Sequence, residues 1–252
     1  MEWGIVLTGF IVGMGIGLTG MGGALIMTPL LILVFGFSPT MAVGTDLIFA
    51  SITKLFGSLQ HFLQRTVHGK LVLYLSIGSI PGGLFGVFSL RTIDRYFVND
   101  IDQILGKILG IVFIVVSIFM FCSLFRRKQS ADSERRPSLC LAIVLGFFGG
   151  MLVGMTSVGS GSLFIAILLV MSSLPASKLV GTDIVHAFFL TLTTGLVHAS
   201  FGHVDWGFVW YLIAGSVPGI LIGSKLTVNI PDWVVRTLLI LILLLTGIQL
   251  TF

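Results

Sequence analysis

Apolar residues in this chain come in long blocks separated by short polar or glycine-rich breaks. Leu71–Leu90, Ile104–Phe125 and Val234–Leu250 are the plainest, each near the ~20 residues a helix needs to cross ~30 Å of hydrocarbon. In the first half the pattern predicts a helix over Trp3–Leu18 and a break at Thr19-Gly20-Met21-Gly22-Gly23. A short apolar stretch, Ala24–Phe35, and a turn at Ser38-Pro39 follow. Next comes a long segment, Thr40–Gln64, expected to be interrupted near Gly44-Thr45-Asp46. The polar link Arg65–Lys70 leads into spans at Leu71–Leu90 and Ile104–Leu124. The second half repeats the order: Leu139–Met155, a break, Leu163–Met171, Pro175, Lys178–Ser200, Trp206–Gly223 and Val234–Leu250.

The order repeats because the chain repeats. With Gly9 laid on Gly146, Gly13, Gly17, Thr19 and Gly22 fall on Gly150, Gly154, Thr156 and Gly159 without a gap. In the same register Val43-Gly44-Thr45-Asp46 meets Val180-Gly181-Thr182-Asp183, His61 meets His198, and Pro81-Gly82 meets Pro218-Gly219. The matches are Gly, Pro, Thr, Asp and His, not the Leu and Ile that any two membrane helices share. A duplicated apolar chain predicts a transporter, because two related halves can enclose a site near mid-bilayer.

The cations decide how the halves relate. If each first broken element returns to its own face, one face carries Arg65, Lys70, Arg126, Arg127, Lys128, Arg135, Arg136, Lys178, Lys225 and Arg236. The other then carries only Arg91, Arg95 and Lys107, with Lys54 inside the membrane. The parallel arrangement gives nearly equal faces. The positive-inside bias therefore favours inverted repeats, with the 126–136 loop cytoplasmic and both termini external. The expected fold is an all-α polytopic membrane protein: two inverted-topology repeats, 1–125 and 139–252, joined by a basic linker, 126–138. Their broken or re-entrant short helices would meet near the midplane.

Composition narrows the class. Charged residues make up 10% and hydrophobic ones 56%, whereas a soluble domain has about a quarter charged. The net charge of +4 sits mostly in Arg126-Arg127-Lys128 and Arg135-Arg136; basic loops beside spans report orientation, so no nucleic-acid partner is expected. Cys122 and Cys140 form no CxxC and have no clustered His, so neither a metal nor a cofactor is expected. Glu2 is the only charge ahead of the first apolar run, unlike the basic start of a cleaved signal.

Two paired features carry candidate chemistry. Both glycine-rich breaks precede short apolar stretches, and amides at a helix start favour an anion. Thr19, Gly20, Gly22 and Gly23 in the first break, with Thr156, Ser157, Gly159, Ser160 and Gly161 in the second, form the expected anion cradle. The plain alternative is glycine serving only close helix packing. The second feature is Asp46 and Asp183, carboxylates inside apolar segments and hence candidate proton carriers, cation ligands or helix caps. His186, one turn beyond Asp183, suggests a proton relay. Lys54 suits neutralising an anion or snorkelling to the interface. His61 and His198, near helix ends, either take part in gating or reach interfacial water.

The glycine-rich segment leading to Pro29, then Pro39-Thr40-Met41-Ala42-Val43-Gly44-Thr45, their echoes at 154–161 and 175–182, and His203-Val204-Asp205-Trp206 together resemble the sulfite exporter TauE/SafE family. The resemblance implies a prokaryotic inner-membrane permease for small anions such as sulfite, sulfoacetate or other organosulfonates, usually moving outward. Ser160 stands where the first break has Gly23, so the two breaks need not bind alike. The expected activity is secondary transport with proton-coupled alternating access; a passive small-anion channel is the alternative. An intramembrane hydrolase lacks its G-x-S-x-G elbow, since 158–162 runs Val-Gly-Ser-Gly-Ser, so no enzyme is expected. The expected partners are a small anion and the lipid bilayer, with a homodimer left open.

Overall fold

A computed structural model describes residues 2–19, 24–96, 101–125, 139–161, 163–165, 168, 174, 176–226 and 232–251. Every regular element among them is an α-helix: α1 (Glu2–Thr19), α2 (Ala24–Leu33), α3 (Pro39–Leu63), α4 (Gly69–Tyr96), α5 (Ile101–Phe125), α6 (Leu139–Thr156), α7 (Ala176–Ser200), α8 (Trp206–Leu226) and α9 (Asp232–Thr251). Among the described residues, Pro39–Leu63, Gly69–Thr92, Leu139–Thr156 and Lys178–Ser200 are long and apolar enough to cross a membrane. The chain is a multi-pass membrane protein. The expected linker, 126–138, lies outside the described residues.

The self-alignment reappears in the helices. α1 and α6 are each 18 residues long and begin at the matched positions Glu2 and Leu139. α3 and α7 are each 25 residues long and begin at the matched Pro39 and Ala176. The main pairings are α1 with α8, α4 with α6, α3 with α7, and α5 with α9.

Glycine makes the first two pairings possible. A Cβ on Gly9 or Gly13 would overlap the carbonyl oxygens of Leu212 and Ser216, and one on Gly215 or Gly219 those of Val6 and Phe10. The matched set is the same in α4 and α6: Gly146 and Gly150 face Leu75 and Ser79, while Gly78 and Gly82 face Ile143 and Phe147. Backbone thus lies on backbone, the close approach that small residues allow in lipid. In both pairs the contacts advance together along the two helices, so each pair is parallel. In α3 and α7, Leu47 and Ile48 lie at Gly195 while Gly57 lies at Ile184, so that pair is antiparallel. α5 and α9 are antiparallel too, since Gly106 approaches Leu250 and Ile114 approaches Gly247.

The expected interruption at Gly44-Thr45-Asp46 is absent; α3 runs helical from Pro39 to Leu63. The glycine and threonine there serve docking instead. Gly44 lies under the His203 carbonyl and Gly181 under that of Thr66. Thr45 Oγ1 accepts the Asp205 N–H at 3.1 Å, and its mate Thr182 accepts that of His68 at 3.0 Å. A pattern that reads as a helix break is a docking face for the turn ahead of α8 or α4. The start of α3 is fixed separately by Pro39 at its first turn and by Asp102 Oδ1, which accepts Thr40 N–H at 3.1 Å and Oγ1–H at 2.8 Å.

Gly150→Val drives a branched side chain into the Ser79 carbonyl and is expected to cost about 1–3 kcal/mol or prevent folding. Gly69→Ala, whose Cβ meets nothing within 4 Å, leaves the detergent-solubilised melting temperature within a degree or two. Thermal unfolding of both variants checks this.

Candidate functional site

The second break folds because side chains of α3 and α7 hold it. α6 ends in a left-handed residue, Ser157, at φ 61°, and Ser157 N–H bonds back to Val153 O at 2.7 Å. This is the αL helix ending. A left-handed non-glycine residue costs about 1–2 kcal/mol, so something must offset it. Ser157 Oγ donates to Asp46 Oδ2 at 2.8 Å, and Thr28 Oγ1 of α2 donates to the same oxygen at 2.5 Å. His198 Nε2 lies 2.9 Å from the Gly154 carbonyl, one of the oxygens a helix end leaves unsatisfied. The carbonyl accepts, so this nitrogen carries the proton.

Two turns along α3 from Asp46, Lys54 is buried and donates to Ser160 O at 2.8 Å and to Ser160 Oγ at 2.7 Å. Asp46 and Lys54 thus grip the two ends of one short loop. Lys54 also lines a cavity of about 550 Å³ between α1, α3, α7 and α8. Asp183, Thr53, Gln60 and His61 are its other polar lining groups, and the walls are Ile and Val with Phe56 and Leu221. Asp183 is 2% exposed, and its Oδ1 has no hydrogen-bond partner among the described residues. A lysine and an aspartate thus share the lining of a mostly apolar chamber.

The family described as sulfite exporter TauE/SafE matches residues 5–250. The chain belongs to the sulfite exporter TauE/SafE family. It is 41% identical over 257 aligned residues to "Probable membrane transporter protein YjnA" of Bacillus subtilis, covering 99% of this chain and 100% of that one. A second B. subtilis protein, "Probable membrane transporter protein YdhB", is 25% identical, with 98% and 99% covered. "Probable membrane transporter protein MJ0441" of Methanocaldococcus jannaschii is 28% identical, with 86% and 79% covered. No solved structure matches the chain. This TauE/SafE chain is therefore a membrane transporter.

Of the residues expected to form its anion cradle, Gly20, Gly22 and Gly23 lie outside the described residues, and Thr19 closes α1. In the second break Gly159 takes φ 97°, a backbone that glycine alone adopts freely. The hydroxyls there are engaged within the protein: Thr156 Oγ1 donates to Leu152 O at 2.7 Å, Ser157 to Asp46, and Ser160 accepts from Lys54. Gly161 starts the following turn, its carbonyl accepting Ile165 N–H.

The candidate coupling residues of this TauE/SafE protein separate into groups. Asp46 lies well inside α3, so it is not a cap of its own helix. Asp183 and His186 share no hydrogen bond: His186 Nε2 meets Ser79 Oγ at 2.7 Å, its Nδ1 has no partner among the described residues, and its ring packs on Phe164. One helical turn sets Cβ spacing, and the two side chains diverge from there. His198 is 1% exposed, so it does not reach interfacial water; the break of α6 claims it. His61 is half-buried, with Nδ1 2.8 Å from Thr66 Oγ1, and lines the cavity. Thr28 and Ser79 escaped the reading from sequence. Each is a small hydroxyl in a largely apolar run, and only the fold shows that it meets a buried ionisable group.

Removing the Ser157 hydroxyl leaves Asp46 with one donor. Ser157→Ala is expected to lower stability by about 1–3 kcal/mol. Ser157→Gly loses the same bond but relieves the left-handed strain, and recovers about 1 kcal/mol of that loss. Paired melting curves in detergent that rank Gly above Ala bear this out; the reverse order refutes the account of the break.

Proposed function

We propose that this protein is a secondary transporter that exports small sulfur-containing anions, such as sulfite, sulfoacetate or other organosulfonates, by proton-coupled alternating access in a prokaryotic inner membrane. The observation carrying this reading is Lys54: a buried cation, anchored on a helix break, that faces a chamber large enough for cargo. Ionisable groups inside a membrane mark substrate paths. The second break enters the site through Ser160, which aims the ammonium.

Two inverted repeats, 1–125 and 139–252, form the scaffold of this reading, with the 126–136 loop cytoplasmic and both termini external. Support comes from α3 with α7 and α5 with α9, matched helices that run in opposite directions at their contacts. Such symmetry lets one half exchange conformations with the other around a central site.

Proton coupling follows from charge. Lys54 and Asp183 balance each other; an added anion leaves a net negative charge where the dielectric is low. Protonating Asp183 removes that excess and supplies an O–H donor. His61 shares the cavity, whereas Asp46 and His186 do not line it. A proton therefore binds with each anion, and affinity rises as pH falls. Export proceeds when the internal anion exceeds the level that the proton gradient sets.

Purified protein in liposomes is expected to catalyse counterflow of labelled sulfite or sulfoacetate. Lys54→Met lowers the flux about thirtyfold or more, the low end for removing one partner of a buried charge contact. Asp183→Asn retains flux but loses its pH dependence. Flux without counterflow indicates a channel, and unchanged flux in Lys54→Met removes the proposed site.

A further inference from the structure

We infer that the Lys54 cavity selects amphipathic monoanions, with a single anionic head group and an apolar body of several carbons, over bare oxyanions such as sulfite. This inference rests on the transport reading above and narrows its cargo.

The polar groups of the cavity are few. Lys54 and Asp183 are buried, at 6% and 2% exposure, and Thr53, Gln60 and His61 complete the polar lining. Among the described residues Lys54 Nζ bonds to Ser160 alone, twice, and an ammonium has three donor hydrogens. That leaves one, among these residues, for a head group. Asp183 Oδ1, unpartnered, supplies a second polar contact once protonated. The remaining wall is apolar: Ile16, Ile52, Ile184, Ile213, Val217 and Ile220, with Phe56 and Leu221.

Size and wall chemistry argue together. About 550 Å³ is the scale of a pocket for a drug-sized organic ligand. Sulfite would fill a small part of it and leave the isoleucine wall unused. Phe56 and Leu221 are 58% and 62% exposed, so the apolar lining of the chamber continues to the protein's outer face. A cargo with its head on Lys54 and its body along α8 satisfies both ends.

The duplication supplies a control within the molecule. The positions matching Lys54, Gly57 and His61 are Thr191, Thr194 and His198, and all three are buried. In the sequence register Thr194 stands where Gly57 does, and Thr191, not a cation, where Lys54 does. The lysine of the head-group site is thus not repeated at its matched position.

The test is a binding series on the full-length protein in detergent or nanodiscs, using methane-, butane- and hexanesulfonate, sulfite, and hexanol as the neutral chain. Affinity is expected to rise about three- to fourfold per methylene, with hexanesulfonate tightest and sulfite weakest. Ile213→Ser flattens this slope, and Lys54→Met weakens every sulfonate about tenfold or more while hexanol is unaffected. Sulfite binding as tightly as hexanesulfonate overturns the inference. So does hexanol binding as tightly as hexanesulfonate, because the head group would then contribute nothing. If sulfite is carried through a Lys54-dependent route with no chain-length effect, this inference fails and the transport reading stands. If no anion binds and Lys54→Met is silent, both fall.

Discussion

An ammonium or carboxylate placed inside hydrocarbon must find partners, and that requirement organises the centre of this protein. α3 carries two such groups, Asp46 and Lys54, on one face. The loop that interrupts the second half supplies Ser157 for the carboxyl and Ser160 for the ammonium, and Thr28 of α2 adds a second donor to the carboxyl. The loop in turn adopts a conformation that a serine avoids, with Ser157 left-handed. Each side is unfavourable alone. Together they make an irregular segment between helices tolerable, because it is buried in protein and its polar groups find partners there.

Around this centre, symmetry and asymmetry divide the work. Features that position helices occur twice: glycine faces against carbonyls, Thr45 and Thr182 under the turns, and the paired contacts His61–Thr66 and His198–His203. Features that bear chemistry are mostly single. Lys54 matches Thr191, His186 matches Phe49, and the carboxylates, though matched, differ in setting: Asp46 has two hydroxyl donors, while Asp183 lines the chamber with one oxygen unpartnered among the described residues.

Much of the frame is legible in the residues alone. α6, α7 and α8 start where the self-alignment with α1, α3 and α4 puts them, because apolar length and Pro or polar punctuation are local properties. The role of Gly44 and Thr45 is not legible, since the same residues suit a break or a docking face and only the tertiary partner, the His203–Asp205 turn, decides. The Asp183–His186 spacing misleads for a related reason: proximity along a helix is necessary for a bond, but rotamers and Ser79 settle the direction. Lys54 stood out as a charge in an apolar run, yet its destination on Ser160 depends on a contact between the halves that no local pattern encodes.

The glycine-lined pairings have a consequence for how the molecule is divided. α1 comes from the first half and is pressed, backbone to backbone, on α8 of the second; α4 of the first is pressed in the same way on α6 of the second. Each pair is therefore one closely packed unit drawn from both halves of the sequence. The packed units are interleaved between the halves, and neither half made alone would have anything to cover its bare seams.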